Sequence, residues 1–339
     1  MLKTEAVRLP NPERLMITWD TGRRCNFDCT YCEATRHDNK SAPHSYDELL
    51  RTFEFLKKYT GDQSVNINFT GGEPTVNPAF WKLAEHINTN EPRFNLGLTT
   101  NGAWHPKNTE RIKKLFNGVT ISYHAESHDI LKKQTITNIE LLNNSDIWLQ
   151  VNVMMHVDYF DECKQVCEKL KGLGVSHNPR PIGDGGIERK GWFTDSDGSQ
   201  RRTSHEYNEE QTQWYYNYLG ITSPKEGRNC CGRRCVQGKV NGQWQDVNFI
   251  ETNFKGWFCS VNKYFLHIDQ HTGSVYHHQT CQALHDGLRG PLGNLSDTNA
   301  IFAYVEKNKD KTIVCPNNRC GCGMCVPKAK DIITFKEIL

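Results

Sequence analysis

The chain has 339 residues, enough for one large domain and a smaller one. Its 41 lysines and arginines nearly balance 39 aspartates and glutamates, for a net charge of +2, so no basic stripe favours a nucleic-acid partner. The first twenty residues are charged and broken by Pro10 and Pro12, and no stretch approaches the ~18 apolar residues of a membrane span, which points to a soluble, cytoplasmic protein.

From Leu15 to about Ile182, short β runs alternate with helical patterns six times. The strands read as Leu15 to Trp19, Val65 to Phe69, Asn95 to Thr99, Val119 to Tyr123, Ile147 to Met155 and Val175 to Arg180. Two helix starts stand out. Ser45 and Glu48 form a capping box, and Asn77-Pro78 supplies an N-cap with proline at the first helical position. Repeated β-α units imply a parallel sheet with right-handed crossovers, either doubly wound or curled into a barrel.

Side-chain alternation helps to choose between them. Val65, Ile67, Phe69, Val119, Ile121, Tyr123, Leu149, Val151 and Val153 mark one face; Asn66, Asn68, Thr70, Thr120, Ser122, His124, Gln150, Asn152 and Met154 mark the other. Strands covered by helices on both faces should be apolar throughout. A polar face therefore suggests a lumen that holds a polar ligand.

Residues 183–228 change character, with Gly183 to Gly186, Asp195 to Ser199 and then Trp214, Tyr215, Tyr216 and Tyr218. They read as a linker or lid region with a short helix whose aromatics pack. The basic cluster Arg228, Arg233 and Arg234 reads as a solvated face.

Fourteen cysteines in short-spaced groups of a large chain favour metal over a disulfide scaffold. Nine follow the linker: Cys230, Cys231, Cys235, Cys259, Cys281, Cys315, Cys320, Cys322 and Cys325. Cys259 precedes a hairpin over Tyr264 to Val275 with Gly273 at its turn, and a helix is expected over Asp297 to Glu306. Cys163 and Cys167 share a helical face with Phe160, Val166 and Leu170, which is core spacing.

The most informative group is Cys25-x3-Cys29-x2-Cys32, with three thiolates and no fourth. Closed zinc and electron-transfer [4Fe-4S] sites take four protein ligands, so one metal position stays open for something else. His37 could complete a zinc site, though at an uncommon spacing. Gly71-Gly72-Glu73-Pro74 follows the second strand, Thr100-Asn101-Gly102 the third and the cysteines the first. All three sit at carboxyl ends of strands, where α/β barrels build active sites.

On these residues the chain resembles the radical S-adenosylmethionine (SAM) superfamily. The resemblance implies an α/β fold with a partial (β/α)6 TIM-like barrel, and a [4Fe-4S] cluster held by Cys25, Cys29 and Cys32 with SAM on the open iron. It places Tyr31 by the adenine and Gly71, Gly72 and Glu73 at the methionyl amine. Thr100 and Asn101 match the family's TNG position, and Ser122 its serine near the ribose or carboxylate. His124 stands where many relatives carry Asp, and Asn152 and Arg180 are further candidates for ribose and carboxylate contacts.

The C-terminal order is similar to SPASM and twitch extensions, implying a small cysteine-rich α+β domain with one auxiliary [4Fe-4S] cluster. Cys259, Cys281, Cys322 and Cys325 are the first ligand set, with Cys315 and Cys320 as competitors or members of a second cluster site; a zinc ribbon is the structural alternative. Cys230 and Cys235 would ligate a second cluster or donate a hydrogen atom.

The organisation expected is 1–182 for the core barrel, 183–228 for the linker or lid and 229–339 for the auxiliary domain. The function expected is reductive cleavage of SAM and hydrogen abstraction from a small natural-product-like substrate, giving oxidation or epimerisation. A ribosomal-peptide maturase and a non-catalytic Fe-S or zinc protein are the alternatives. About fourteen residues precede the first strand, which leaves no room for the leader-binding domain of many peptide-modifying relatives, and Phe335 to Leu339 lacks the Gly-Gly tail of the molybdenum-cofactor cyclases. Expected partners are the substrate and a low-potential donor such as flavodoxin or ferredoxin, with no membrane.

Overall fold

A computed structural model describes residues 4–8, 14–32, 37–182, 206–220, 237–246, 253–277, 291–315 and 326–339, and the backbone of 191–194 and 200–204. In chain order the first elements are β1 (Thr4–Arg8), β2 (Leu15–Asp20), α1 (Tyr46–Thr60), β3 (Val65–Thr70), α2 (Pro78–Asn90) and β4 (Phe94–Thr100). Then come α3 (Thr109–Leu115), β5 (Gly118–His124), α4 (Asp129–Asn143), β6 (Trp148–Met155), α5 (Phe160–Gly172) and β7 (His177–Pro181). β8 (Gly191–Thr194), β9 (Gln200–Ser204), α6 (Glu209–Leu219), β10 (Gln237–Val240), β11 (Gln243–Asp246), β12 (Phe258–Cys259) and α7 (Val261–Tyr264) follow. The last are β13 (Phe265–Asp269), β14 (Ser274–Tyr276), β15 (Gly293–Asn294), α8 (Thr298–Asn308), β16 (Ile313–Val314), β17 (Lys328–Ala329) and α9 (Ile332–Glu337).

The chain divides into two compact units, one of Asp20–Leu50 with Asn68–Pro224, the other of Met1–Trp19, Arg51–Ile67 and Lys225–Leu339. β2, β3, β4, β5, β6 and β7 lie side by side in sequential order, with β4 to β7 mutually parallel. An unreversed order is the singly wound arrangement of α/β barrels, unlike the reversal of doubly wound sheets. Among the described residues the run ends at β7 without closing on itself.

The alternation read from the sequence is realised in three dimensions. Leu96, Leu98, Val119, Ile121, Tyr123, Val151 and Val153 are at most 3% exposed, each worth about 1.5–3 kcal/mol of burial. Thr99, Thr120, Ser122, His124, Asn152 and Met154 on the opposite face are half-buried. Gln150 departs from the pattern: it is buried and its Oε1 accepts from the Ser176 hydroxyl at 2.7 Å.

Local signals hold as well. Ser45 N donates to Glu48 Oε2 (2.7 Å) and Glu48 N to Ser45 Oγ (3.3 Å), so the capping box is formed. Asn77 Oδ1 accepts from Ala79 N at 2.9 Å. Cys163 and Cys167 are wholly buried in α5. The short helix expected beyond residue 183 is α6, and its aromatics pack. Trp214 meets Phe160 edge-on at 5.5 Å and stacks on Tyr218 at 4.8 Å, while the Tyr207 hydroxyl donates to Met155 O at 2.6 Å.

In the other unit six strands lie in the order β11-β10-β1-β17-β12-β16, their described pairings all antiparallel, and β15-β14-β13 lie beside the first part of β2. The expected hairpin is β13–β14, with Gly273 at φ +71° in its turn. The helix expected from Asp297 is α8, capped by Asp297 Oδ1 on Ala300 N. β1 is a correction: the sequence reading placed no strand before Leu15. Thr4 to Arg8 is too short and charged to signal by itself, and its partners, β10 and β17, come more than two hundred residues later. Among the described residues no helix is long and apolar enough to cross a membrane.

Candidate active site

The site begins with backbone packed on backbone. Gly72 N donates to Gly22 O and Glu73 N to Arg24 O, both at 2.8 Å, laying the loop after β3 against the residues that lead into Cys25. A Cβ on Gly72 would sit 2.3 Å from Arg23 O and 2.4 Å from Arg24 O; one on Gly71, where φ is +132°, would sit 2.6 Å from Gly22 O. Both glycines are required by this approach. On the other side of the loop Cys25 N donates to Asp38 O at 3.0 Å and Asp38 N to Arg23 O at 2.9 Å.

Glu73 fastens the next loop. Its carboxylate is 2% exposed and accepts from Thr75 N (3.0 Å), the Thr75 hydroxyl (2.7 Å), the Thr100 hydroxyl (2.8 Å) and Asn101 N (2.7 Å). Burial raises its pKa, against the pull of those four hydrogen bonds. Asn101 Nδ2 in turn donates to Asn26 Oδ1 at 2.7 Å, inside the cysteine loop. Thr100, Asn101 and Glu73, expected to touch a cofactor, are thus buried and joined to one another, and the Glu73 carboxylate is committed to the protein.

The three thiols of the loop share one apolar nest. Cys29, Phe27 and Ala103 are buried together, with Cys25, Cys32, Tyr31 and Leu131 packed against them. Burial pushes the Cys25 thiol up to about 12 and the Cys29 thiol higher still. His124 Nδ1 lies 3.3 Å from Cys29 Sγ and also meets the Tyr31 hydroxyl, whose ring stacks on the imidazole. Burial holds His124 down to about 4, so it is neutral at pH 7. His37 Nε2 faces Asp28 Oδ1 at 3.4 Å.

The sequence reading missed Glu126 and His156. Glu126 Oε1 accepts from Thr30 N at 3.0 Å and Oε2 from the Thr30 hydroxyl at 2.8 Å, pinning the loop between Cys29 and Tyr31. His156 Nε2 stands 3.5 Å from the same carboxylate. Burial would raise the Glu126 pKa, but His156 and Thr30 outweigh it and the net shift is downward. Their signal was positional only: both follow the carboxyl ends of strands.

Register aligns the remaining candidates. Ser122 pairs with Asn152 and Asn152 with Asn178, a polar row on the open face; His124 pairs with Met154 and Met154 with exposed Arg180, one row further on. Asn178 was not anticipated.

Residues 19–179 match the family model described as the radical SAM superfamily. That stretch is a radical SAM domain. Among curated proteins, the GTP 3',8-cyclase of Desulforamulus reducens is 30% identical over 139 residues, covering 40% of this chain and 41% of the relative. The GTP 3',8-cyclase of Campylobacter fetus subsp. fetus is 31% identical over 124 residues, 34% of this chain and 38% of the relative. The chain therefore spans about two-fifths of the length of these relatives. A solved structure of SuiB from Streptococcus suis superposes with a TM-score of 0.50 at 12% identity, covering 86% of this chain and 66% of that one, a likeness of fold. The structure of anSMEcpe with bound AdoMet gives 0.48 at 16% identity, over 87% and 82% of the two chains.

The radical SAM domain's cofactors are a [4Fe-4S] cluster and SAM, and the donor set fits them. Three thiols line one nest on one short loop, and the other described cysteines of this unit, Cys163 and Cys167, are sealed in α5. Among the described residues no three Cys, His, Asp or Glu side chains meet round a single ion. A cubane asks for something else, a separate thiolate for each of three irons. The buried thiols must lose their protons on loading, so cluster assembly releases protons.

Of the C-terminal cysteines, Cys230, Cys231, Cys235, Cys281, Cys320, Cys322 and Cys325 lie outside the described residues. Cys259 pairs with Ile313 across β12 and β16, and Cys315 N donates to Trp257 O at 2.8 Å. Cys315 is therefore the diagonal neighbour of Cys259 on the same face of that ladder.

Glu126→Ala should leave the fold intact and loosen the segment between Cys29 and Tyr31. Loss of two charge-assisted hydrogen bonds predicts about a tenfold weaker SAM affinity, ~1.4 kcal/mol, read by equilibrium binding to cluster-loaded protein.

Proposed function

We propose that this chain is a radical SAM enzyme that takes a hydrogen atom from a small polar substrate held over the open face of the sheet, leading to oxidation or epimerisation. The observation that carries the reading is the convergence of the cysteine loop, Gly71 to Glu73 and Thr100 to Gly102 at one end of a sheet whose uncovered face is polar. When bound, cluster and SAM together supply a 5'-deoxyadenosyl radical strong enough to break an unactivated C-H bond. The chain's own residues do the rest. Cys25, Cys29 and Cys32 hold the irons, the backbone of Gly71 to Glu73 offers an edge for the methionyl amine, and Ser122 and Asn152 present hydroxyl and amide groups to ribose or carboxylate. Apolar packing by Phe27 and Ala103 buries Cys29, with Leu131 against the same cluster. The electron would come from a low-potential flavodoxin or ferredoxin.

Cys259 and Cys315, brought to one face, support an auxiliary cluster in the C-terminal unit, which Cys281, Cys320, Cys322 or Cys325 would complete. Cys230 or Cys235 would serve as hydrogen-atom donor in an epimerisation.

The test is 5'-deoxyadenosine by mass spectrometry, on anaerobically reconstituted full-length protein with SAM and dithionite. Substrates would be run in three arms: polar metabolites, short peptides and GTP, the last because it is named in the curated relatives. Product in the wild type that falls to background in Cys29→Ala supports the reading. An iron-loaded wild type that forms none in any arm overturns it.

A further inference from the structure

His124 was expected to face SAM, yet its imidazole is turned to the cysteine loop. It ends β5 and is boxed by two rings of that loop: Tyr31 stacks on it at 5.9 Å and 12°, and Phe27 meets it edge-on at 5.6 Å and 88°. Those rings stand two residues either side of Cys29, so their packing fixes the imidazole against one sulfur, with Nδ1 at 3.3 Å from Cys29 Sγ. Cys25 differs, its sulfur accepting from a backbone amide, Phe27 N, at 3.4 Å. Cys29 is thus a cluster-loop sulfur with a side-chain nitrogen against it.

We propose that His124 tunes the reduction potential of the SAM-binding cluster by donating a hydrogen bond from Nδ1 to the Cys29 sulfur. This rests on the radical SAM reading above. An iron-bound thiolate carries no proton, so in a hydrogen bond between these two atoms the nitrogen is the donor. Nδ1 then keeps its hydrogen, and the Tyr31 oxygen, within reach of the same atom, shares it or donates to the sulfur beside it. A hydrogen bond to sulfur stabilises the reduced cluster, which carries one more negative charge, and so raises its potential. No SAM contact need be given up, because Ser122, Asn152 and Asn178 form a separate row one step along the sheet. His124 is a positioning and tuning residue, acting through the cluster.

The decisive experiment is an EPR-monitored potentiometric titration of reconstituted full-length protein, following only the signal that changes shape on adding SAM. His124→Phe keeps a ring between Phe27 and Tyr31 and removes the donor. At a fixed poise its reduced-to-oxidised ratio should fall about tenfold, a midpoint ~59 mV lower for one electron. His124→Gln, which retains an N-H, should stay nearer the wild type. An unchanged midpoint in a fully loaded His124→Phe overturns the proposal. Should that variant not load, pulsed EPR of the reduced wild type carrying ¹⁵N-histidine decides: a ¹⁵N coupling to the SAM-responsive cluster is expected, and its absence overturns the proposal. A wild type with no SAM-responsive signal at all overturns the underlying reading and the tuning with it.

Discussion

Gly72→Ala should abolish cluster loading while leaving the distant helices intact. The new methyl would stand 2.3 Å and 2.4 Å from two backbone oxygens, those of Arg23 and Arg24, and a backbone cannot rotate aside as a side chain can. The loop after β3 must separate from the loop that leads into Cys25, breaking the 2.8 Å hydrogen bonds at Gly72 N and Glu73 N. Overpacking of this kind costs about 1–3 kcal/mol, and here the strain falls on the segment that aims the thiols. Iron and sulfide per chain should drop by the amount owed to one cluster, and 5'-deoxyadenosine should fall at least a hundredfold. Gly172→Ala is the matched control. Gly172 ends α5 with nothing within 4 Å of its would-be Cβ, so iron content should be unchanged and stability equal or slightly higher. Equal iron loading in the two variants would show that the close approach is dispensable.

Glu73→Gln should destabilise the protein by about 3 kcal/mol, although it changes one oxygen to nitrogen. All four partners of this carboxylate are donors, and a glutamine must point its NH2 at one of them. Thr100 and Asn101 would lose their tie to the loop after β3, and through Asn101 the disturbance reaches Asn26 among the cysteines. Chemical denaturation reads the stability, and SAM binding to cluster-loaded protein reads the loop. Because burial raises the Glu73 pKa, the folded state binds its proton more readily than the unfolded one. Stability from this group therefore falls as pH rises from the ordinary carboxylate value through the folded one. The glutamine variant should lack that slope. A variant as stable as the wild type, with the same pH profile, would refute the structural role.

Much of the site was legible before any coordinates. The three-cysteine spacing, the Gly-Gly-Glu run and Thr100-Asn101 are short linear patterns, and their place after strands follows from period-two alternation. What the sequence did not show is that Glu73 accepts hydrogen bonds from Thr100 and Asn101. Residue type and position could not tell a cofactor contact from a knot between loops, because both call for buried polar groups at strand ends. β1 was missed for a related reason. Ala6 and Val7 are wholly buried, but the strands that bury them belong to the far end of the chain.

By itself the sequence determined the succession of strands and helices, the caps at Ser45 and Asn77, the apolar and polar faces of the sheet, and the open three-thiolate loop. Each is settled within a few residues by backbone sterics, side-chain periodicity or ligand spacing. Only the tertiary structure decided that Thr100 meets Glu73 across 27 residues, Asn101 meets Asn26 across 75, His124 meets Cys29 across 95 and Glu126 meets Thr30 across 96. No local pattern encodes such pairs. They exist because parallel strands, packed through their apolar faces, deliver the loops after β2, β3, β4 and β5 to one end of the sheet, where the nearest polar group becomes the partner.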